Sequence, residues 1–140
     1  GRLKEIIVMS NGEKVPPVDV EVAIMRDALF EQVMLIGEGK PYLSVIAVLS
    51  AERWQELAAQ SAIDPAAPGA LGSQQARRIV LERIGHQLRE FPGYAQVRQV
   101  TLTLEPWTVE NGLLTPTMKL KRAKVLELFN AELDRMYSGH

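Results

Sequence analysis

Four basic side chains near the end of the chain are the residues best suited to chemistry. They are Lys119, Lys121, Arg122 and Lys124, and they follow the turn-like segment Thr115-Pro116-Thr117. An ammonium group delivered by a loop can stabilise the negative charge that gathers on a phosphate or carboxylate during a reaction. Lysine suits that task because it remains charged at neutral pH. The alternative is that the run is a solvated basic stretch at the start of a helix.

The composition bounds the kind of protein that carries these residues. The chain has 140 residues, of which 46% are hydrophobic and 24% are charged, and its formal net charge is -1. These values predict one globular domain and argue against a nucleic-acid binder that works by bulk electrostatics. There are no cysteines and only two histidines, so we expect no metal site.

The distribution of apolar residues bears on location. No apolar run reaches the roughly 18 to 20 residues that a membrane span needs, and no signal-peptide core is visible. We therefore expect a cytoplasmic protein, with peripheral membrane contact left open. The chain begins at Gly1-Arg2 and enters an apolar strand-like run at once, which suggests a domain excised from a longer protein.

The first half of the chain predicts a hairpin, a helix and a strand pair. Glu5 to Met9 reads as a strand, and the Asn11-Gly12 pair that follows it supplies the positive φ angles of a tight turn. Pro17 suits the first turn of a helix. The residues expected to face inward from that helix are Val18, Val22 and Met25 or Ala23, with Val20 as a further candidate for that face. Next, Gln32 to Ile36 and Tyr42 to Leu49 predict an antiparallel pair, the second strand being covered on both faces.

The second half of the chain predicts three helices and one more strand. Ser50 caps a helix that extends to about Gln60, and the longest helix runs from Ser73 to Glu90. Val97 to Leu104 alternates like a half-covered strand, and Ala123 to Tyr137 predicts one C-terminal helix. The predicted fold class is α+β: an N-terminal β-hairpin plus a small, mostly antiparallel sheet of about three strands, packed with helices.

The basic segment carries a resemblance to a known family. Leu113-Leu114-Thr115-Pro116-Thr117-Met118-Lys119-Leu120-Lys121-Arg122 resembles the last core motif of the adenylate-forming superfamily. In that motif a Pro or Thr precedes Gly-Lys, and a basic residue follows. The match makes Lys119 the catalytic lysine and Arg122 the trailing base. Met118 replaces the glycine, as is usual in the long-chain fatty acyl branch, and Lys121 stays open as an alternative to Lys119.

Two segments near the start are similar to other motifs of the same family. Gly1-Arg2-Leu3-Lys4-Glu5 resembles the hinge between the large and small domains, which implies that Gly1 is the pivot and that Arg2 reaches the ribose of ATP. The stretch from Asn11 to Glu21 resembles the hairpin that enters the active site for the second half-reaction. Gly12 would then line the pantetheine tunnel, and Glu21 would have a structural role at the first helix.

The resemblance implies the C-terminal domain of a long-chain fatty acid-CoA ligase, a single domain over residues 1–140. The full-length enzyme would use ATP, coenzyme A and Mg with a fatty acid, and its large N-terminal domain would be this chain's partner. We expect the chain alone to be inactive and to bind no cofactor. The alternatives are the C-terminal domain of an acyl-AMP ligase or carrier-protein adenylation enzyme, or a non-catalytic α/β interaction module.

The remaining polar and aromatic candidates have structural interpretations. His86 is expected on the surface of the long helix, and Trp54 and Trp107 in packing. The arginines of that helix are expected as surface cations, and nothing in the sequence selects among them for the phosphates of coenzyme A. They are Arg77, Arg78, Arg83 and Arg89.

Overall fold

The computed structural model describes residues 5–138. Gly1, the predicted hinge, and Arg2, the predicted ribose contact, lie outside the described residues. The chain divides into two compact units, Gly1–Leu104 and Glu105–His140. The first unit contains the hairpin and the three-stranded sheet, and the second contains the lysine-bearing turn and the last two helices.

The first unit opens with the predicted β-hairpin. Strand β1 (Ile7–Val8) pairs antiparallel with β2 (Lys14–Val15). The Met9 amide donates to the Glu13 carbonyl, and the Gly12 amide donates to the Met9 carbonyl, each at 2.9 Å. These bonds define a three-residue loop in which Gly12 alone has a positive φ, +87°. The expectation that both residues of the Asn-Gly pair have a positive φ is therefore wrong.

A three-stranded sheet forms the centre of the first unit. Strand β4 (Leu43–Leu49) lies between β3 (Phe30–Ile36) and β5 (Val97–Thr103). All seven residues of β4 are buried, as predicted for a central strand. β3 is antiparallel to β4, whereas β5 is parallel to it. The parallel pair follows from the long helical crossover between these two strands, and the predicted α+β class is confirmed.

Two capped helices form the crossover between β4 and β5. Helix α1 (Pro17–Ile24) precedes β3, and the crossover consists of α2 (Ala51–Gln60) and α3 (Gln74–Gln87). The hydroxyl oxygens of Ser50 and Ser73 accept hydrogen bonds from main-chain amides at the starts of α2 and α3, at 3.3 and 3.1 Å. A single 3₁₀ turn then leads into β5. The residues that face the core from these two helices include Trp54, Leu57, Ala58, Ala76, Val80 and Ile84.

Helix α1 is rotated relative to the sequence prediction. Val18 and Val22, with Met25 or Ala23, were expected to face inward; Val18, Val22 and Met25 are 54%, 55% and 43% exposed, whereas Ala23 is buried. The buried residues are Pro17, Val20, Glu21, Ala23 and Ile24. That face carries Val20, Ala23 and Ile24 as well as Glu21, whose carboxylate accepts a hydrogen bond from the Leu35 amide at 2.8 Å and so holds the same face of α1 against β3. This contact confirms the expected structural role of Glu21.

The second unit ends in two helices where the sequence predicts one. Helix α4 (Arg122–Leu128) and helix α5 (Asn130–Tyr137) meet at Phe129, whose φ and ψ are -103° and 28°. The prediction of one helix from Ala123 to Tyr137 is therefore wrong. No glycine or proline marks the break, so the sequence contains no ordinary signal for it. The buried positions Val125 and Met136 agree with the prediction.

An ion pair joins helix α3 to the loop before β3. The Arg83 side chain donates two hydrogen bonds to the Asp27 carboxylate, at 2.8 Å from Nε and 2.6 Å from Nη2. Burial opposes ionisation of Asp27, but hydrogen bonds from Arg83 and the Leu29 amide outweigh it and lower the pKa of this carboxyl. Arg83 therefore has a structural contact within the first unit.

We expect Asp27→Asn to lower the free energy of unfolding of the chain by about 1–2 kcal/mol at neutral pH, since a bidentate charged hydrogen bond is lost. A depressed folded-state pKa contributes stability above the unfolded value of about 3.9, and this is lost as the pH falls through the folded value. Urea titrations from pH 7 to pH 3 should therefore give a flatter acid limb for the variant. Asp134→Asn, at an exposed position of α5, is the control; an equal loss there would contradict the assignment.

Candidate functional site

The lysine-bearing segment folds as a small antiparallel turn in the second unit. Leu114 and Leu120 form an isolated antiparallel bridge. The Thr115 amide donates to the Lys119 carbonyl at 2.8 Å, and the Lys121 amide donates to the Leu113 carbonyl at 2.9 Å. The two arms of the turn are therefore held by main-chain bonds, and buried leucines anchor its base.

The tip of this turn contains a residue in an uncommon backbone conformation. The Met118 amide donates to the Thr115 carbonyl at 2.8 Å, which closes a four-residue turn. Met118 has a φ of +68°, in the left-handed region where residues with a side chain pay a steric cost. Pro116 takes the second position, where its fixed φ suits such a turn. The left-handed conformation gives a physical reason for a glycine in the family motif at this position.

The main chain of Lys119 is held by a single residue. Besides the bond to its carbonyl, the Lys119 amide donates to the Thr115 hydroxyl oxygen at 3.1 Å. The Thr115 hydroxyl also lies 3.1 Å from that of Thr117. Both main-chain polar groups of Lys119 are thus bonded to Thr115, so the direction in which the lysine side chain leaves the backbone is fixed.

The Lys119 side chain itself is exposed and uncommitted. Within residues 5–138 its ammonium group makes no hydrogen bond and no ion pair. A fixed backbone combined with a free cationic group is the arrangement needed to present positive charge to an anionic ligand. The tip of the turn is exposed as well, Met118 to 66%.

The neighbouring cations differ from Lys119 in their surroundings. Lys121 is the residue before helix α4 and makes no side-chain cap, and Lys124 is exposed one turn later. Cations at a helix N-terminus oppose the helix dipole, so this run does not stabilise the helix. Arg122 is half-buried and has contacts of its own. Lys119, Lys121 and Arg122 thus share one short segment of the sequence but differ in their surroundings.

Gly12 occupies the exposed tip of the hairpin in the first unit. An added side chain at Gly12 would meet no atom within 4 Å, so the only local obstacle to substitution is its φ of +87°. The hairpin is attached to the loop between β3 and β4. The Gly39 amide donates to the Val8 carbonyl and the Ser10 amide donates to the Lys40 carbonyl, both at 2.9 Å.

The turns that carry Gly12 and Lys119 have the same hydrogen-bond pattern. In each, the first residue bonds through its amide to the carbonyl of the fifth and through its carbonyl to the amide of the fourth. The fourth residue, Gly12 or Met118, is left-handed in both. The sequence suggested Lys119 and Gly12 as candidates but did not draw attention to Thr115, whose hydroxyl the structure bonds to the Lys119 amide. The signal was a threonine four residues before the lysine, at the first position of a turn.

The other residues considered as candidates lie on the surface or in packed positions. His86 is exposed on α3, and the side chains of Trp54 and Trp107 are buried, as expected for packing. Between residues 5 and 138, no group of three or more His, Cys, Asp or Glu side chains could hold a metal ion. No helix in that range is both long and apolar enough to cross a membrane.

The shared turn geometry predicts opposite effects for two substitutions. Met118→Gly should raise the free energy of unfolding by about 0.5–1 kcal/mol, because relief of the left-handed conformation exceeds the entropic cost of glycine. Gly12→Ala should lower it by about 1 kcal/mol. Gly85→Ala, inside α3 with no atom within 4 Å of the added carbon, is the control and should stabilise. Denaturant titrations of the chain measure the free energy of unfolding of all three variants. Changes of the same sign for Met118→Gly and Gly12→Ala would contradict the shared role of the left-handed residue in the two turns.

The chain is similar over nearly its whole length to ligases that are much longer. It is 32% identical over 140 residues to a chloroplastic long-chain-fatty-acid-[acyl-carrier-protein] ligase of Arabidopsis thaliana, covering 99% of this chain and 17% of that protein. It is 31% identical over 141 residues to long-chain-fatty-acid-CoA ligase 1 of Cavia porcellus, covering 98% of this chain and 20% of that protein. The chain therefore spans about a fifth of the length of the curated relatives it matches.

A solved structure and a family model lead to the same assignment as these relatives. The adenylation domain of a carboxylate reductase from Mycobacterium chelonae matches 98% of this chain and 20% of that structure, with a TM-score of 0.80 and 24% identity. That likeness concerns the fold. The family model described as the AMP-binding enzyme C-terminal domain matches residues 4–140. The chain belongs to the family of AMP-binding enzyme C-terminal domains, the small domains of adenylate-forming ligases.

Proposed function

We propose that this chain is the C-terminal domain of a long-chain fatty acid-CoA ligase, and that it supplies the adenylation lysine and a thioester-forming hairpin. The observation that carries the proposal is Lys119, whose backbone is held within its turn while its ammonium group is exposed and uncommitted. The full-length enzyme would convert ATP, a fatty acid and coenzyme A to acyl-CoA, AMP and pyrophosphate. The chain alone would be inactive, because its partner, the large N-terminal domain, would contain the acyl and adenine pockets.

Lys119 would act in the first half-reaction. A carboxylate oxygen of the fatty acid attacks the α-phosphorus of ATP, the bond to pyrophosphate breaks, and an acyl-adenylate forms. Negative charge gathers on the α-phosphate and carboxylate oxygens in the transition state. The Lys119 ammonium group would lie against those oxygens, where such a charge is worth a few kcal/mol in a site without water.

Gly12 would act in the second half-reaction. The thiol of coenzyme A attacks the acyl carbon of the adenylate, and AMP leaves. The hairpin tip would line the tunnel through which the pantetheine arm enters, and the missing side chain at Gly12 keeps that path open. The domain would rotate between the two half-reactions so that the lysine-bearing turn and the hairpin act in sequence.

The remaining parts of the proposal concern the hinge and the cofactors. Gly1 would be the pivot of the rotation, since glycine tolerates large changes in φ and ψ, and Arg2 would contact the ribose of ATP. Mg²⁺ would accompany ATP, and its ligands would come from the large domain. We also propose a cytoplasmic location for the whole enzyme.

The main alternative to this proposal concerns which thiol accepts the acyl group, that of coenzyme A or that of a carrier protein. Relatives of this chain include both a CoA ligase and an acyl-carrier-protein ligase. We favour coenzyme A because Met118-Lys119 in place of Gly-Lys resembles the long-chain CoA ligase branch. Supplying the full-length enzyme with fatty acid, ATP and either coenzyme A or a phosphopantetheinylated carrier protein separates the two. An acyl-AMP ligase would release adenylate without either acceptor. Membership of a ligase family argues against a non-catalytic interaction module.

Lys119→Ala in the full-length enzyme should reduce adenylate formation about 100-fold or more, because the charge facing the transition state is lost. Thioester formation from supplied acyl-adenylate should remain largely intact. Fatty-acid-dependent exchange of pyrophosphate into ATP measures the first step, and CoA thioester release measures the second.

Two neighbouring lysines serve as comparisons for Lys119. Lys124→Ala, at an exposed position of α4, should leave both steps unchanged. Lys121→Ala tests whether the second lysine of the turn has the adenylation role in place of the first. If Lys119→Ala slowed the two half-reactions equally, or if Lys121→Ala alone abolished the first, the role given to Lys119 would be wrong.

Gly12→Trp should have the opposite effect to Lys119→Ala, slowing thioester formation at least about tenfold while sparing pyrophosphate exchange. The indole would obstruct the pantetheine path, and the Cβ that carries it would meet no atom within 4 Å. Gly69→Trp is a matched control, because Gly69 is also exposed, has a positive φ of +77° and has no atom within 4 Å of an added carbon. Normal thioester formation by the Gly12 variant would remove Gly12 from the tunnel.

A further inference from the structure

We infer that Thr115 is a positioning residue for adenylation, and that it acts through the main chain of Lys119. This inference rests on the proposed function of Lys119. Its basis is the double attachment between the two residues: amide to carbonyl at 2.8 Å in one direction, and amide to hydroxyl oxygen at 3.1 Å in the other. The hydroxyl oxygen of Thr115 is the acceptor found for the Lys119 amide within residues 5–138.

The strain at Met118 makes this attachment consequential. Met118 immediately precedes Lys119 and is left-handed, with a φ of +68°, although most side chains favour negative φ. Relaxation of Met118 toward negative φ would swing the following peptide and redirect the Lys119 side chain. The bonds from Thr115 span that residue on both sides, so they oppose the relaxation.

Because the turn is solvated, loss of the Thr115 hydroxyl should change the orientation of Lys119 more than the stability of the domain. The turn is exposed at Thr117 and Met118, so water can replace the Thr115 hydroxyl as partner of the Lys119 amide. Loss of a solvent-exposed hydrogen bond therefore costs little stability, because water replaces the missing partner. A lysine ammonium displaced by about 1 Å, in contrast, can cost about 100-fold in rate. Thr115 therefore contributes to rate through the orientation of Lys119.

The β-branched side chain of Thr115 contributes to this role. Threonine has few χ1 rotamers, so its hydroxyl is held near the direction that it needs. The Thr117 hydroxyl at 3.1 Å further restrains it. Serine can form the same bond with more rotational freedom, and valine keeps the shape without an acceptor. Substituting Thr115 by serine or by valine therefore distinguishes the contribution of its hydroxyl from that of its side-chain packing.

The test uses Thr115→Val and Thr115→Ser in the full-length enzyme. Thr115→Val should lower kcat of pyrophosphate exchange about 10- to 100-fold, with the KM values for ATP and fatty acid changed less than about threefold. Thr115→Ser should restore kcat to within about threefold of the parent. Thioester formation from supplied acyl-adenylate should be normal in both variants, which also shows that both are folded.

Lys119→Ala and the double variant Thr115→Val/Lys119→Ala complete the cycle. If Thr115 acts through Lys119, the double variant should be no slower in pyrophosphate exchange than Lys119→Ala alone. Additive losses, equal loss of both half-reactions in Thr115→Val, failure of serine to rescue, or normal exchange in Thr115→Val while Lys119→Ala is impaired would each overturn the inference. Normal exchange in Lys119→Ala would instead overturn the proposed function, and this inference with it.

Discussion

Complete burial of strand β4 is the constraint on which the first unit depends. Because both of its faces and both of its edges are covered, β3 and β5 must flank it and the helices must pack over the sheet. The constraint extends to the hairpin through the loop between β3 and β4. Leu43 of β4 fills the space that a side chain at Gly37 would need, so the loop passes close to the sheet. Gly39 and Lys40 of this loop form main-chain hydrogen bonds with Val8 of β1 and Ser10 of the hairpin turn. Through the loop, the sheet therefore supports the hairpin that carries Gly12.

Local signals in the sequence determine how much of this fold could be predicted. Helices α2 and α3 begin after Ser50 and Ser73 as expected, because a serine cap and an apolar stripe point to the same boundary. In α1 nearly every position is apolar, so periodicity did not identify the buried face. A contact from Glu21 to the distant β3 decides it. The break at Phe129 between α4 and α5 also lacks a local signal.

The family motif determines how much of the candidate site could be predicted from the sequence. The resemblance identifies Lys119 and notes Met118 as a departure, but only the structure gives the left-handed φ that accounts for the usual glycine. The attachment of Lys119 to Thr115 depends on the turn geometry, which the motif does not encode. Gly1 and Arg2 remain predictions from the resemblance. Exposure likewise distinguishes Lys119 from the half-buried Arg122, although in the sequence both belong to one basic run.

The locality of the lysine-bearing turn has a kinetic consequence. The hydrogen bonds that close it join residues between Leu113 and Lys121, and the amides of Leu113 and Leu114 reach back only as far as Thr108, so the turn closes without waiting for distant parts of the chain. Hairpins of this size form in about 1–10 μs. A typical enzyme turns over about 10 times per second. A turn that opens would therefore close again many thousands of times faster than the proposed reaction proceeds, so its re-formation would not limit the rate of a catalytic cycle.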